Sequence, residues 1–342
     1  MINKKVLILK NDRAGDLFTS LTLISSLIAH YQNITLYLSE FNEGFSFFFK
    51  KTLIKKIKFN LTIINKILIF FDIFFNKYEK IYILTPKSFY FILPLIFRKI
   101  KFYAIVYDSD NKYRPPKFLR KYLYKYKIVY RNKLNNKSYR DLQSELIDDD
   151  IDLDIHHNAL NIPKIDHKLK ILLPKNFILF QFRYLFFNQL GWGINEFNYL
   201  ITQIKRKYEF ILFSSDIEKN KLSNHYNNYF KQNFSIIDTN DYTKKINVNN
   251  DKIFYLENIN FLNLFYLLNE SEINLAKEGI FSHISYFHKT KCHNLFNFTI
   301  ASKKDYHHQK ISYSEWCKGM NIKFSFLNKD IKKSVRKILR SI

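Results

Sequence analysis

Four places in this chain set reactive side chains at spacings that chemistry uses. The first is Asp16. It follows the apolar run Val6-Leu7-Ile8-Leu9 and the polar turn Asn11-Asp12-Arg13-Ala14-Gly15. It opens a stretch with apolar residues at Leu17, Leu21, Ile24, Leu27 and Ile28, which is helical spacing. Asp16 either caps that helix, its carboxylate accepting an orphan N–H, or also faces the mouth of the sheet, where open α/β sheets take ligands. The second place is Asn274 to His283, a strand, a Glu278-Gly279 turn and a helix with His283 on its first turn. A helix N-terminus there suits a phosphate, and Lys277 and His283 add positive charge. The third is Asp108-Ser109-Asp110 after a strand. It is either a D-x-D pair holding a divalent cation against a nucleotide diphosphate or an Asp/Ser turn. The fourth is Asp148 to Asp154, with five carboxylates in seven residues ahead of His156 and His157. That run is either a Ca²⁺ or Zn²⁺ site or a solvated loop of like charge.

The elements that must position these groups alternate strand and helix. In the first half, strands are expected at Val6–Leu9, Ile34–Leu38, Lys58–Asn60, Tyr78–Leu84 and Lys101–Tyr107. Between them come the helix opened by Asp16, a buried helix over Ile67–Phe75 and a helix over Phe89–Phe97, with a last one opening at Arg140. Pro163 and Pro174 bracket a polar stretch, Lys164 to Lys170, that reads as the interdomain linker. The rhythm then restarts with strands at Phe177–Phe180, Phe210–Phe213, Lys252–Leu256, Glu272–Ala276 and Asn294–Ile300. Helices are expected over Asn195–Lys207, Glu218–Phe230, Asn260–Asn269, from Gly279 through Phe287, and Lys329–Ser341. This alternation predicts parallel sheets. The 342 residues predict two domains, 1–160 and 161–342. No G-x-G-x-x-G fingerprint is present. Two successive Rossmann-like halves facing across a cleft are the GT-B architecture.

Charge and composition narrow the function classes. The formal net charge is +25, carried mostly by lysine spread along the chain rather than in a tail or an arginine stripe. Dispersed lysine is a solvated surface more than a polyanion site, so nucleic acid is not expected as a partner. Such a surface favours an anionic membrane leaflet or a phosphorylated sugar. Tyr113 to Tyr130 interleaves Arg114, Lys117, Arg120, Lys121, Lys125 and Lys127 with aromatics. Three readings stay open for it: base stacking, contact with anionic lipid or a phosphorylated acceptor, and a solvated amphipathic helix. Cys292 and Cys317 form neither a disulfide framework nor a ligand pair at metal spacing. The apolar runs Ile67–Phe71 and Phe89–Phe97 are broken by Asp72 and Pro94 and fall short of the ~18 residues a membrane span needs. A cytoplasmic, soluble or peripheral protein without a signal peptide is expected.

At its start the chain resembles glycosyltransferase family 9, the lipopolysaccharide heptosyltransferases. The carrying residues are Leu7-Ile8-Leu9-Lys10 followed by Arg13-Ala14-Gly15-Asp16-Leu17. Later segments follow the family's order of elements. Leu179 to Trp192 stands where the family has a strand, a loop and a K-x-W-P signal, though the Lys and Pro are missing here. Asp216 and Glu218 stand after the next strand, where the family places a ribose-binding acid. Glu278-Gly279 and His283 stand for its Asp-Thr-Gly turn and His, with Glu for Asp, no Thr, and the His one residue later.

The resemblance implies a metal-independent, inverting glycosyltransferase in lipopolysaccharide biosynthesis, divergent in its motifs and with altered donor use or lost activity open. It would move a sugar, by analogy heptose from an ADP-sugar, to a lipid-linked or cell-surface glycan acceptor at the inner membrane face. The nucleotide sugar is a co-substrate, and no cofactor or metal is implied. Asp16 would be the catalytic base. Arg183, Asp216, Glu218, Lys277, Glu278, Gly279 and His283 would hold the donor. Arg13, Gly15, Arg114 and Arg120 would meet the acceptor. Two alternatives remain: a metal-dependent sugar transferase using Asp108 and Asp110, and a non-catalytic basic binding protein acting through Tyr113 to Tyr130.

Overall fold

The computed structural model describes residues 2–49, 52–108, 115–130, 139–147, 151–152, 156–162, 166–214, 221–277, 279–297, 321–340 and 342. The described residues divide after Ile162 into two compact units.

The first unit is a parallel sheet of six strands: β1 (Ile2–Lys10), β2 (Tyr31–Ser39), β3 (Leu53–Ile57), β4 (Lys80–Ile83), β5 (Lys101–Tyr107) and β6 (Lys125–Val129). Its order is β3-β2-β1-β4-β5-β6. The chain winds outward from β1 through β2 to β3, then returns to β4 on the other side of β1. The order therefore reverses between β1 and β4. Val6 to Leu9 and Ile81 to Leu84 are wholly buried. Buried parallel strands read as continuous apolar runs, which is why these two were legible in the sequence. Helices α1 (Ala14–Thr19), α2 (Leu21–His30), α3 (Ile63–Asn76), α4 (Leu93–Ile96), α5 (Lys117–Arg120) and α6 (Tyr139–Ser144) connect the strands.

Four expectations change here. The third strand is Leu53–Ile57, not Lys58–Asn60. Ile57 pairs with Ser39 at the end of β2, and the Phe59 N–H turns away to the Glu40 carboxylate, 2.7 Å. The helix expected over Ile67–Phe75 starts four residues earlier, where the Thr62 hydroxyl accepts from the Asn65 N–H at 3.2 Å. It is not buried: only Ile69, Asp72 and Ile73 face inward. The helix expected over Phe89–Phe97 is a 3₁₀ turn, Ser88–Phe91, followed by α4, with Pro94 in the first helical turn where its missing N–H costs nothing. The basic-aromatic stretch Tyr113 to Tyr130 is not one helix, since its second half is strand β6.

The second unit is an eight-stranded sheet of β7 (Phe177–Phe182), β8 (Glu209–Ser214), β9 (Ser235–Asp238), β10 (Thr243–Lys245), β11 (Ile253–Glu257), β12 (Ile273–Lys277), β13 (Lys291–Asn297) and β14 (Ile322–Leu327). The order is β10-β9-β11-β8-β7-β12-β13-β14, parallel except for the hairpin of β9 and β10. The order again reverses, here between β7 and β12. Helices α7 (His167–Leu172), α8 (Tyr184–Gln189), α9 (Ile194–Ile204), α10 (Lys221–Asn233), α11 (Phe261–Glu270) and α12 (Ile280–His288), with the C-terminal helix Ile331–Leu339, complete the unit. Its core stacks aromatic rings: Phe182 meets Phe187 at 5.4 Å, Phe197 at 5.0 Å and Phe230 at 5.0 Å. Helix α7, begun by Asp166 accepting from the Lys168 N–H, occupies the stretch expected to be linker. Strands β9, β10 and β14 were not anticipated, and β13 sits three residues before its expected place.

Candidate active site

Asp16 lies at the carboxyl end of β1, beside the reversal of strand order. Open α/β sheets bind ligands at this point because the loops from the two neighbouring strands part there. Helix α1 begins after Arg13, which has an extended backbone and makes no side-chain cap. Asp16 is thus the third residue of the helix and not its cap, which answers the question left open by the sequence. Its carbonyl accepts from the Thr19 and Ser20 hydroxyls at 2.7 and 3.2 Å, holding the turn.

The half-buried Asp16 carboxyl is held above the usual carboxylate range. Burial is the main cause and the neighbouring Asp12 charge the second, with Lys10, Arg13 and the Arg13 backbone pulling the other way. Lys10 ends β1 with no exposure at all, and its Nζ lies 2.7 Å from an Asp12 carboxylate oxygen. Asn42 Nδ2 donates to the Lys10 carbonyl at 3.2 Å, and the Ser39 hydroxyl donates to the Asp12 carbonyl. Tyr90 donates to Asn11 Oδ1 at 2.8 Å, and Asn11 to the Lys58 carbonyl at 3.1 Å. A buried ion pair costs desolvation unless further hydrogen bonds hold it, and here they fix the β1–α1 turn.

A cavity of about 260 Å³ opens on this turn. Asp12, Arg13 and Asp16 line it from β1 and α1, Thr85, Pro86 and Lys87 from the end of β4, and Phe59 and Tyr107 from the flanks. Lys87 donates to the Phe59 carbonyl and lies 4.1 Å from the centre of its ring. The buried Thr85 hydroxyl has no hydrogen-bond partner among the described residues. Tyr107 and Tyr139 stack with their hydroxyls 3.3 Å apart. Burial raises the Tyr139 phenol pKa, with Tyr107 next and the Asp12 and Asp16 charges adding. The sequence reading missed Lys10, Asp12, Thr85, Lys87 and Tyr107.

The second reversal gathers other predicted residues. Leu275 of β12 pairs with Phe180 of β7, so Lys277 and Arg183 leave the sheet side by side at the carboxyl edge. Both are half-buried. Arg183 begins α8. Gly279 begins α12 with φ +146°, a backbone that side chains rarely adopt. His283 stands one turn along α12, half-buried. Arg183, Lys277, Gly279 and His283 thus all stand at the carboxyl edge of the second sheet, where its strand order reverses. Trp192 is a core piece, 2 % exposed, its indole N–H donating to the Asn328 carbonyl at 3.1 Å.

Other predicted residues fall elsewhere. Arg13 is exposed at the cavity rim and Gly15 is the second residue of α1. Arg120 ends α5 just before Tyr124, whose N–H donates to the Phe102 carbonyl near the start of β5. It therefore stands toward the amino edge of the sheet, away from Asp16, with its Nε and Nη2 finding no hydrogen-bond partner among the described residues. Asp110, Arg114, Asp148, Asp154, Asp216, Glu218 and Glu278 lie outside the described residues. Among the described residues, no group of three or more His, Cys, Asp or Glu could hold a metal.

No family model matches the sequence, and no curated protein matches it. Solved structures do match the fold. The ADP-heptose LPS heptosyltransferase II of E. coli superposes with TM-score 0.59 at 12 % identity, over 98 % of this chain and 97 % of that one. A glycosyl transferase of family 9 from Veillonella parvula DSM 2008 gives 0.58 at 11 % identity, over 99 % and 90 %. The UDP-GlcNAc 2-epimerase of Methanocaldococcus jannaschii gives 0.55 at 13 % identity, over 98 % and 92 %. The chain thus has the α/β fold of GT-B proteins over its whole length, as both the family 9 transferases and the epimerase do.

Proposed function

We propose that this chain, folded as the family 9 heptosyltransferases are, is an inverting, metal-independent glycosyltransferase. It takes a sugar from a nucleotide diphosphate, by analogy heptose from an ADP-sugar, and passes it to a lipid-linked or cell-surface glycan acceptor at the cytoplasmic face of the membrane. The observation that carries the reading is Asp16, a carboxylate with raised affinity for a proton at the mouth of the β1–β4 reversal. A general base works best when its pKa approaches the working pH.

In this reading Asp16 takes the proton from an acceptor hydroxyl held in the β1–β4 cavity. The hydroxyl oxygen attacks the anomeric carbon on the face opposite the nucleotide. The bond from that carbon to the diphosphate oxygen breaks, and the diphosphate leaves with the electron pair. Arg183, Lys277, His283 and the N-terminus of α12 neutralise the departing charge, which is the electrostatic task that acyl- and phosphoryl-transfer sites give to fixed cations and helix ends. Asp216, Glu218 and Glu278 are assigned to the donor by the resemblance, and Gly15, Arg13, Arg114 and Arg120 to the acceptor. Of the last set, Arg13 has the cavity position in its favour, and Arg120 stands at the other edge of its sheet.

Binding to a panel of nucleotide sugars tests the reading. ADP-sugars should raise the melting temperature, and His283→Ala or Arg183→Ala should weaken nucleotide diphosphate binding about tenfold or more. Because an epimerase shares the fold, the panel is also incubated without acceptor. A donor isomerised with no acceptor present, or the absence of any nucleotide sugar binding, would end the transferase reading.

A further inference from the structure

We propose that the first unit docks on an anionic membrane through helix α3 and the basic rim beside it. The inference deepens the peripheral attachment in the reading above, rests on that reading, and uses residues other than those lining the Asp16 cavity. Helix α3 is apolar on both sides, with Ile69 and Ile73 facing the core. Its inward face carries Asp72, which accepts from the Tyr37 and Tyr78 hydroxyls at 2.9 and 3.1 Å and pairs with Lys55. Its outward face is apolar along the whole length: Ile63, Ile64, Ile67, Phe71, Phe74 and Phe75 are 48 to 74 % exposed. Single exposed apolar residues are ordinary, but a contiguous face of this size marks an interaction surface.

The surface continues beyond the helix. Phe70 meets Phe97 at 5.2 Å, and Ile92 and Ile96 of the neighbouring α4 segment are also exposed. Where the apolar face ends, cations begin. Lys77, Lys99 and Lys101 line a cavity of about 430 Å³ together with Phe74 and Phe97. Arg98 lies over Tyr122 at 5.6 Å and Lys101 over the exposed Tyr124 at 4.4 Å. The one carboxylate at that cavity, Glu79, already faces Lys4 at 3.9 Å.

An apolar helix face with tyrosines and lysines at its border is the chemistry of a bilayer interface. Isoleucine and phenylalanine enter the acyl boundary, tyrosine stays at headgroup level, and lysine reaches the lipid phosphates. At 14 residues α3 is about 21 Å long, too short to span and suited to lie in the plane. Charge decides between a bilayer and a second copy of the chain. The outward face of α3 carries no acid, so a second copy of that face offers nothing to pair the lysines at its border, whereas anionic headgroups do.

Vesicle sedimentation of the full chain tests this, with vesicles of mixed phosphatidylglycerol and phosphatidylcholine against phosphatidylcholine alone. The chain should pellet with the anionic vesicles and bind neutral ones at least tenfold more weakly. Ile64→Gln with Phe71→Gln alters only exposed side chains, so melting should hold, while binding to anionic vesicles should fall at least tenfold. Lys77→Gln with Lys99→Gln should cost about fivefold per lysine on anionic vesicles and little on neutral ones. The proposal is overturned if the Ile64/Phe71 variant binds as tightly as the parent. It is overturned equally if those substitutions disperse a dimer and no vesicle binding is seen. Nucleotide sugar binding is measured on the same samples, so its loss with vesicle binding intact would count against the transferase reading alone.

Discussion

The two sheets reverse their strand order in the same way, yet the two mouths are built from opposite materials. At β1–β4 the chain buries charge: Lys10 and Asp12 form a closed pair, and Asp16 sits in their field with its proton held more tightly than usual. At β7–β12 it offers a glycine turn, a helix end and half-buried cations. The difference suits the two mouths to different steps of the proposed transfer. Raising the pKa of a base requires withdrawing it from water. In the proposed transfer, a diphosphate would be received by a backbone that can come close and by positive charge beside it.

The sharpest way to break this contrast is Asp16→Asn. Asn cannot take a proton, so turnover should fall by about two to four orders of magnitude, while nucleotide diphosphate affinity, measured by calorimetry, stays put. Because the folded carboxyl binds its proton more tightly than the unfolded one, ionised Asp16 costs stability once the pH is above its raised value. The cost fades as pH falls toward the unfolded value. Asp16→Asn should therefore melt at the same temperature as the parent or higher at pH 7.5. A fall in melting temperature, or near-parent sugar transfer, would reduce Asp16 to a structural residue.

Acid acts in the other direction on the second unit. His293 in β13 is 1 % exposed, and burial, with the Lys323 charge next, lowers its pKa to about 4. Between pH 6.5 and 4 the unfolded chain binds a proton that the folded unit refuses, so stability drops by about 3 kcal/mol across that window. Denaturant melts at pH 7.5 and 4.5 should show the loss, and His293→Gln should flatten it. An acid loss unchanged in that variant assigns the sensitivity elsewhere.

A smaller effect sharpens the role of the glycine turn. Gly279→Ala meets open space, so only the backbone at φ +146° resists. The cost should be about 1–3 kcal/mol, together with weaker nucleotide binding. A full-affinity, fully stable Gly279→Ala would show that the turn is not needed as built.

Buried parallel strands could be read from the chain because they are unbroken apolar runs, as at Val6–Leu9 and Phe177–Phe180. Helix α3 was misjudged for the same reason: its residues are so uniformly apolar that composition hides which side faces in, and only Asp72, seemingly a break, marks the inner face. Strands β9, β10 and β14 carry too few apolar residues in a row to stand out. At the site, Asp16, Gly279, His283 and Arg183 were visible as residues at strand-to-helix turns. Lys10 was not, because a lysine ending a strand looks like surface until its Asp12 partner and full burial are known. Arg120 was placed with the acceptor, but it ends α5 ahead of the start of β6, which puts it toward the far edge of its sheet.

The order of strands along the chain also sets the order in which the two units can be finished during synthesis. All six strands of the first sheet precede residue 130, so that sheet can assemble while the second is still being made. The second sheet ends on β14, at Ile322–Leu327, with the helix Ile331–Leu339 packed behind it. Until those residues emerge from the ribosome, the backbone of β13 from Cys292 to Asn297 lacks its β14 partner and is a bare edge. Unpaired edges of this kind recruit other strands. A chain stopped before Ile322 should therefore keep a folded first half and clump through its second.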